Sequence, residues 1–468
     1  MHDDNPQATP SRRRLLATVG SVGVGGALAG CLSMVRRQGA SCNGHTVAPE
    51  TDLEGADLSN CDLRGTDLSG ATLTNADLTG ADLREASLFL ATLEGATLVD
   101  TDLRDAEYLV VSLLEAADLE GANLSGGTFA GIDLTGADLS GVILADADFS
   151  EATVSEVDFS DADLTGIDFS DVDLTDVSLA GATLSRARFM RSEMTGQRLE
   201  NADLSSASLI RADLSGADLT GADLTGATFA EADLTGATVS NVALSGTNFS
   251  RADLSEVMIT GADLASGIFE DTSLAEATFS DVSFAGGTYL ETDFIETDLS
   301  GVSFADAELT GSIFARCDLT DVTFEGADLT GGSLFEATLT GTELDGAILE
   351  EVALMEADLS GRSLPGARLA GAGLFLSDCS GVDFSDADLS GADLWRADLS
   401  DADLSNADLS ETLLEGADLT GANLTGATLT GADFTGATVD DVTLTDVTVD
   451  ETIWVDGSSC STVACLDR

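Results

Sequence analysis

The amino-acid sequence predicts an all-β chain folded as one long parallel β-solenoid, and the main observation is a five-residue repeat. A large apolar residue recurs at every fifth position from Leu53 to Leu113 and then, displaced by one residue, from Leu119 to Trp454. A small residue usually stands two positions earlier, and polar residues fill the other places, as in Ala-Asp-Leu-Thr-Gly at 217–221. We call the large residue position i, so that each unit runs from i−2 to i+2.

The period of five is the second observation, because it fits neither a helix nor a long flat strand. Alternation holds inside each unit, which places i−2 and i on one face of the backbone and i−1 and i+1 on the other. The frequent glycine at i+2 tolerates the dihedral angles of a corner. Four corners would close a square coil of 20 residues, and coils stacked about 4.8 Å apart would pair their backbones. Stability would then come from the stack rather than from any one coil.

The repeat resembles that of the pentapeptide-repeat family, whose consensus is A-(D/N)-L-x-x. The resemblance implies a right-handed quadrilateral parallel β-helix over residues 51–455, with positions i and i−2 pointing inward. About 80 units give about 20 coils and a rod about 95–100 Å long. Gln197 and Arg362 replace the small residue at i−2, so we expect local distortion at both. The extra residue near Ala116 predicts a bulge.

The first 30 residues predict an export signal. Arg12 and Arg13 begin a stretch that resembles a twin-arginine signal, and Leu-Ala-Gly-Cys at 28–31 resembles a lipobox. We therefore expect a lipid on Cys31 and anchoring at the outer face of the cell membrane. A transmembrane helix is disfavoured because the apolar run is shorter than about 20 residues. Residues 31–50 are interpreted as a flexible tether and 456–468 as a C-terminal tail.

The composition is strongly acidic, with 84 Asp and Glu against 19 basic residues and a formal net charge of −65. All the basic residues are Arg. The absence of Lys from so acidic a chain resembles proteins of extreme halophiles. Self-repulsion of these charges predicts a fold that becomes more stable as salt is added. Direct binding to nucleic acid is not expected from so negative a surface.

The cysteines allow two disulfides. Cys460 and Cys465 could close a small loop in the tail, with free thiols as the equal alternative, and Cys42 could reach Cys61. Cys317 and Cys379 would lie about three coils or 14 Å apart, which is too far for a bridge, so these two are interpreted as buried apolar residues.

No catalytic or metal-binding motif stands out. The only histidines, His2 and His45, lie outside the repeat, so no histidine-based triad can form on the rod. Carboxylates recur in every coil and are interpreted as a solvated surface. We predict no enzyme activity and no cofactor or metal. Three N-x-[ST] sequences are interpreted as products of the repeat, with modification left open; they begin at Asn123, Asn248 and Asn423.

Residues 20 apart should share a face, and three such groupings suggest contact sites. The first is an apolar column at i+1, formed by Ala275, Ile295, Ala315, Phe335, Met355, Phe375 and Trp395. It favours contact with a partner or a second copy, while simple stacking between coils is the alternative. The second is a basic patch, Arg186, Arg188, Arg191 and Arg211, beside Met190 and Ile210. It would bind another copy's acidic face or offset local repulsion. The third is the column Arg64, Arg84 and Arg104, predicted to form ion pairs or to contact anionic lipid.

These observations favour a non-catalytic, lipid-anchored, extracytoplasmic scaffold or interaction rod. One alternative is an acidic DNA mimic that modulates a topoisomerase, as some family members resemble duplex DNA. Another is a weak cation-binding surface or an unrecognised enzyme. The partner is not identified by the sequence.

Overall fold

The computed structural model describes residues 39–106 and 118–463, and these form a β-solenoid. Parallel backbone pairs join residues 20 apart along its length, as in the series Asp213, Asp233 and Asp253. On most sides of a coil, a single residue at i−1 forms the backbone pair with the neighbouring coil. Within the described coils, longer strands form on one side, where β3 (Thr238–Ser240), β4 (Met258–Thr260) and β5 (Thr278–Ser280) lie parallel. A 3-10 turn occupies Leu264–Ser266. The predictions of a parallel solenoid and a 20-residue repeat are confirmed.

Each five-residue unit ends in a tight turn. The N–H of the residue after i+2 donates to the carbonyl of residue i, as Ala56 does to Leu53 at 3.1 Å. Nearly every residue at i+2 has a φ near +60°, including non-glycine residues such as Arg211 and Leu376. A positive φ at this place is the mark of a type II turn, which explains why Gly, Asn and Asp are frequent there.

The core is a stack of the residues predicted to point inward. Leu or Phe at i and Ala or Val at i−2 are almost completely buried along the described coils. Aromatic rings also stack between coils. Phe229, Phe249 and Phe269 have successive centroid distances of 5.1 Å and lie nearly parallel. Because each coil buries its neighbours' side chains, the stack carries the stability of the fold.

The one-residue displacement in the repeat is visible in the backbone pairing. Asp82 pairs with Asp102, 20 residues away, whereas Thr97 pairs with Asp118 and Asp102 with Asn123, each 21 residues away. The solenoid therefore continues in register after absorbing one extra residue. The predicted bulge near Ala116 lies within 107–117, outside the described residues.

Most buried threonines at i−2 donate their hydroxyl to a carbonyl of the preceding coil. The hydroxyl of Thr272, for example, donates to the carbonyl of Phe249, 23 residues earlier, at 2.9 Å. The longer side chain of Gln197 also bonds the preceding coil, because its amide N–H groups donate to the carbonyls of Leu174 and Val177. Backbone pairing between 178 and 198 is absent beside it among the described residues. The predicted distortion at Gln197 is confirmed.

Arg362 produces a larger opening. Its guanidinium donates to the carbonyls of Thr342, at 2.7 Å, and of Leu339. In this part of the described chain, the expected pairs 338–358 and 343–363 are absent, while Ile348–Arg368 and Ala353–Gly373 remain. The two coils are thus separated on two sides only. A cavity of about 460 Å³ lies at this seam, lined by Arg362 and polar neighbours. The predicted distortion is confirmed here too.

Replacing Arg362 by Ala should raise the free energy of unfolding by about 1 kcal/mol. A small i−2 residue would let the two coils pair again, and no guanidinium would have to be desolvated. Urea unfolding followed by circular dichroism measures the change. Arg368→Ala is the control, because Arg368 forms only an exposed ion pair with Glu350 and should contribute less than about 0.5 kcal/mol. A less stable Arg362→Ala variant would contradict this explanation of the seam.

The first coil is covered by an antiparallel hairpin, β1 (Ala40–Cys42) and β2 (His45–Val47). A disulfide joins Cys42 to Cys61 in the first coils. The interpretation of 31–50 as a flexible tether is therefore wrong for residues 40–47. Their backbone groups pair with each other, and the hairpin covers an otherwise open solenoid end.

The other end of the solenoid is covered on one side only. β6 (Thr452–Ile453) and β7 (Ser459–Cys460) form an antiparallel pair, so part of the predicted tail is ordered onto the last coil. Cys460 is buried and disulfide-bonded. Its predicted partner Cys465 lies outside the described residues, as do Arg12, Arg13 and Cys31.

Candidate interaction surface

One side of the rod is largely apolar. Backbone pairs connect its i−1 positions from Asp293 to Leu413, and the predicted i+1 column runs beside them at about 7 Å. We call this side the apolar face, and its large apolar residues are Ile295, Ile313, Phe335, Met355, Phe375, Trp395 and Leu413. Phe335, Met355 and Phe375 are half-buried, while Trp395 is 36% and Leu413 46% exposed. The predicted column is thus one continuous surface.

Trp395 is held in place by its surroundings. Its backbone N–H donates to the Asp393 carboxylate at 3.0 Å, and the Arg396 guanidinium carbon lies 4.4 Å from the centroid of the indole ring. The corner residue Leu376, 43% exposed, donates its N–H to the Trp395 carbonyl. The Arg396 guanidinium therefore covers one face of the indole ring.

The i+1 column alone misses part of this face. Ile313 and Leu413 stand at i−1, and Leu376 stands at i+2. The same period of 20, followed at i−1 and at i+2 as well as at i+1, includes all three.

The basic patch is occupied by internal ion pairs. Arg188 bonds Asp168 at 2.8 Å, Arg191 bonds Asp171, and Arg211 bonds Glu231. Arg191 and Arg211 belong to a corner column in which charges of both signs follow one another, the members being Asp171, Arg191, Arg211, Glu231, Arg251 and Asp271. Among the described residues, Arg186 is the member of the patch without an ion pair. The arrangement favours local charge compensation over a binding site.

The column nearest the N-terminal end behaves in the same way. Arg104 bonds Asp102 at 2.6 Å, and Arg84 bonds Asp82 and approaches Asp102. Arg64 bonds Glu85 at 2.5 Å. The predicted ion-pair ladder is confirmed, although Arg64 uses a corner residue as its partner.

The aspartates at i−1 have a structural role. The Asp158 carboxylate accepts from the backbone N–H of Ser160 at 2.9 Å and from its hydroxyl at 2.5 Å. The hydroxyl first, and then the N–H, hold the pKa of Asp158 below its usual value. Asn123 accepts from Ser125 in the same way. The acidic side chains therefore close the turn that follows, and Asn can replace them. Asn248 and Asn423 do so as well, so the predicted sequons are used internally.

Asp158→Ala should lower the free energy of unfolding by about 1 kcal/mol at neutral pH, because the turn loses its side-chain acceptor. Asp158→Asn should lower the free energy of unfolding by less than half as much. The pKa is depressed in the folded state, so this stabilisation is present above the unfolded value near 4 and disappears as the pH falls below it. Urea unfolding from about pH 3 to pH 7 measures both variants. Equal losses for Ala and Asn would refute the role of the acceptor.

The described residues offer no other chemistry of note. They contain no group of three or more His, Cys, Asp or Glu side chains arranged to hold a metal. Burial raises the pKa of the Cys317 and Cys379 thiols to about 12, so both are inert packing residues at neutral pH. No helix within 39–106 or 118–463 has the length and hydrophobicity needed to cross a membrane.

Family models match most of the repeat. The model described as pentapeptide repeats matches eight times, at 51–88, 117–155, 155–191, 187–226, 232–271, 333–371, 377–416 and 407–446. A pentapeptide repeat region model covers 259–334. The chain therefore belongs to the pentapeptide-repeat family, whose fold is a right-handed β-helix and whose members are generally non-catalytic structural proteins.

Solved structures of the same family are also similar. HetL, a pentapeptide repeat protein involved in heterocyst differentiation regulation from Nostoc sp. strain PCC 7120, is 24% identical, with 72% of this chain and 91% of HetL covered and a TM-score of 0.14. The plasmid-mediated fluoroquinolone resistance protein QnrB1 is 24% identical, with 46% and 89% covered and a TM-score of 0.19. A protein from the Arabidopsis thaliana thylakoid lumen is 38% identical over 20% of this chain and 72% of its own, with a TM-score of 0.11. The search of curated proteins gives no match.

Proposed function

We propose that this chain is a non-catalytic protein-interaction rod, exported and held at the outer face of the cell membrane by a lipid on Cys31. In this proposal the rod has about 20 four-sided coils and presents the apolar face to a protein partner. The apolar face is the observation that carries the proposal.

The physical argument starts from the cost of exposing apolar surface. Six coil steps and two side-chain columns give a strip about 29 Å long and about 10 Å wide, or about 300 Å². Contiguous apolar patches of a few hundred Å² on a soluble protein are typical of contact sites. Elsewhere on this rod, outward positions are mostly Asp, Ser and Thr. A surface that departs from that rule along several consecutive coils is best explained by a contact.

The two end covers support export. A disulfide fastens β1–β2 to the first coils, and Cys460 in β7 is also disulfide-bonded. Structural disulfides persist in oxidising compartments and are rare in the cytosol. This agrees with the twin-arginine-like and lipobox-like segments at 11–16 and 28–31, where Arg12, Arg13 and Cys31 stand.

The DNA-mimic alternative fits these features less well. A mimic of duplex DNA needs negative charge presented regularly and access to a cytoplasmic enzyme. The apolar face interrupts the charge, and disulfide-fastened ends point to another compartment. The acidic residues at i−1 also have their own role in closing turns.

Photo-crosslinking in native membranes tests the proposed contact. A photoreactive phenylalanine analogue replaces Met355 in the full chain, and the same analogue replaces Ile210 as a control on another side at i+1. We expect a discrete protein adduct from position 355 that falls at least about 10-fold when Phe335 and Phe375 are both changed to Ser. Ser is a common residue at i+1, so the fold should be kept. Adducts of equal yield at 355 and 210 would refute the proposal.

A further inference from the structure

We propose that the partner of the apolar face is a second copy of this chain, lying side by side with the first. This inference rests on the proposed function and names the occupant of the same surface. Two observations carry it: the repeat spacing of the face and the distribution of charge.

The first observation is the spacing. Side chains such as Phe335, Met355 and Phe375 recur once per coil, about every 4.8 Å, over about 29 Å. A surface with this period fits best against another surface with the same period, where the side chains of one interleave with those of the other. A second copy of the solenoid supplies that period at every coil, whereas an irregular globular surface does not.

The second observation is charge. Two chains that each carry −65 repel each other over most of their surfaces. From Ile313 to Trp395, however, the outward i−1 and i+1 positions of the apolar face contain a single carboxylate, that of Asp393. The corner beside it carries one exposed carboxylate, that of Glu356, and two arginines: Arg316, which bonds Glu296 and Glu336, and Arg396, which covers Trp395. Two copies can therefore approach here with the least repulsion.

The small area of the apolar face limits the strength of the contact. A stable protein interface buries about 800 Å² on each partner, and this face offers well under half of that. The dimer should therefore be weak in solution, and it should tighten as salt screens the flanking carboxylates. Anchoring both copies in one membrane would raise their effective concentration.

Sedimentation velocity on the full chain tests the inference, with Cys31→Ser to keep it in solution. Between about 1 and 200 µM in about 2 M KCl, we expect conversion from monomer to dimer, with a weaker transition in about 0.1 M KCl. Trp395 emission should shift to the blue over the same range, while Trp454, which is 2% exposed, should contribute a constant signal. Phe335→Ser with Phe375→Ser should weaken dimerisation at least about 10-fold, and Ile210→Ser should leave it unchanged.

Two results would overturn the inference. One is a chain that stays monomeric at every concentration in 2 M KCl, and the other is a dimer that the double Ser variant does not weaken. If the chain is monomeric while position 355 still crosslinks to a different protein in membranes, self-association is wrong and the proposed contact surface stands. If neither association nor an adduct occurs, both are wrong.

Discussion

The melting temperature of the full chain should rise by about 10 °C or more when KCl is increased from about 0.1 M to about 2 M. The cause is visible in the stacked carboxylates. Asp358, Asp378, Asp398 and Asp418 pair in succession, one per coil. Two unit charges about 5 Å apart repel by about 0.8 kcal/mol in water. The Debye length falls from about 10 Å at 0.1 M to about 3 Å at 1 M, which is shorter than the coil spacing.

Thermal unfolding followed by circular dichroism measures the shift. The control is the variant Asp378→Asn with Asp398→Asn, which keeps the side-chain acceptors of both turns, as Asn123 does naturally. Its melting temperature should depend less on salt than that of the parent chain. A melt that does not change between low and molar salt would refute the role of charge repulsion.

Phe304→Ala should destabilise the solenoid by about 3–5 kcal/mol, the usual cost of removing a buried aromatic side chain. Phe304 is fully buried, and its ring lies 4.6 Å from that of Phe284 and 5.3 Å from that of Phe324. Its loss leaves a cavity that neighbouring coils cannot fill without breaking their own pairing.

The effect should be local at first, because a solenoid is stabilised by contacts between neighbouring coils. Hydrogen exchange should show protection lost around residues 284–324 before it is lost at 389–429. Phe375→Ala on the apolar face is the matched control and should cost less than about 1 kcal/mol. Comparable losses of stability in Phe304→Ala and Phe375→Ala would contradict the assignment of inward and outward positions.

The repeat made most of the fold predictable. Position i follows the backbone alternation, so Leu219 and its equivalents could be placed in the core without a structure. The 20-residue coil was predicted from four corners, and the displacement after Leu113 corresponds to the 21-residue pairing of Thr97 with Asp118. The distortions at Gln197 and Arg362 were predictable because position i−2 is a small residue in nearly all other units.

The end covers could not be predicted, because residues 40–47 and 459–460 carry no repeat. Their order depends on pairing that covers an open coil, which a local pattern does not encode. The Cys42–Cys61 disulfide, by contrast, was one of the two pairings that the sequence allowed, and the structure confirms it. The width of the apolar face was also missed, because Ile313 and Leu413 are at i−1 and meet the i+1 column only in space.

Fractionation of the native protein with mass analysis of its N-terminus tests the central claim most directly. We predict a membrane-bound chain whose first residue is Cys31 carrying a lipid, and a Cys31→Ser variant released from the membrane. A chain that begins at Met1 and is found in the cytosol would contradict the account of an exported, lipid-anchored rod.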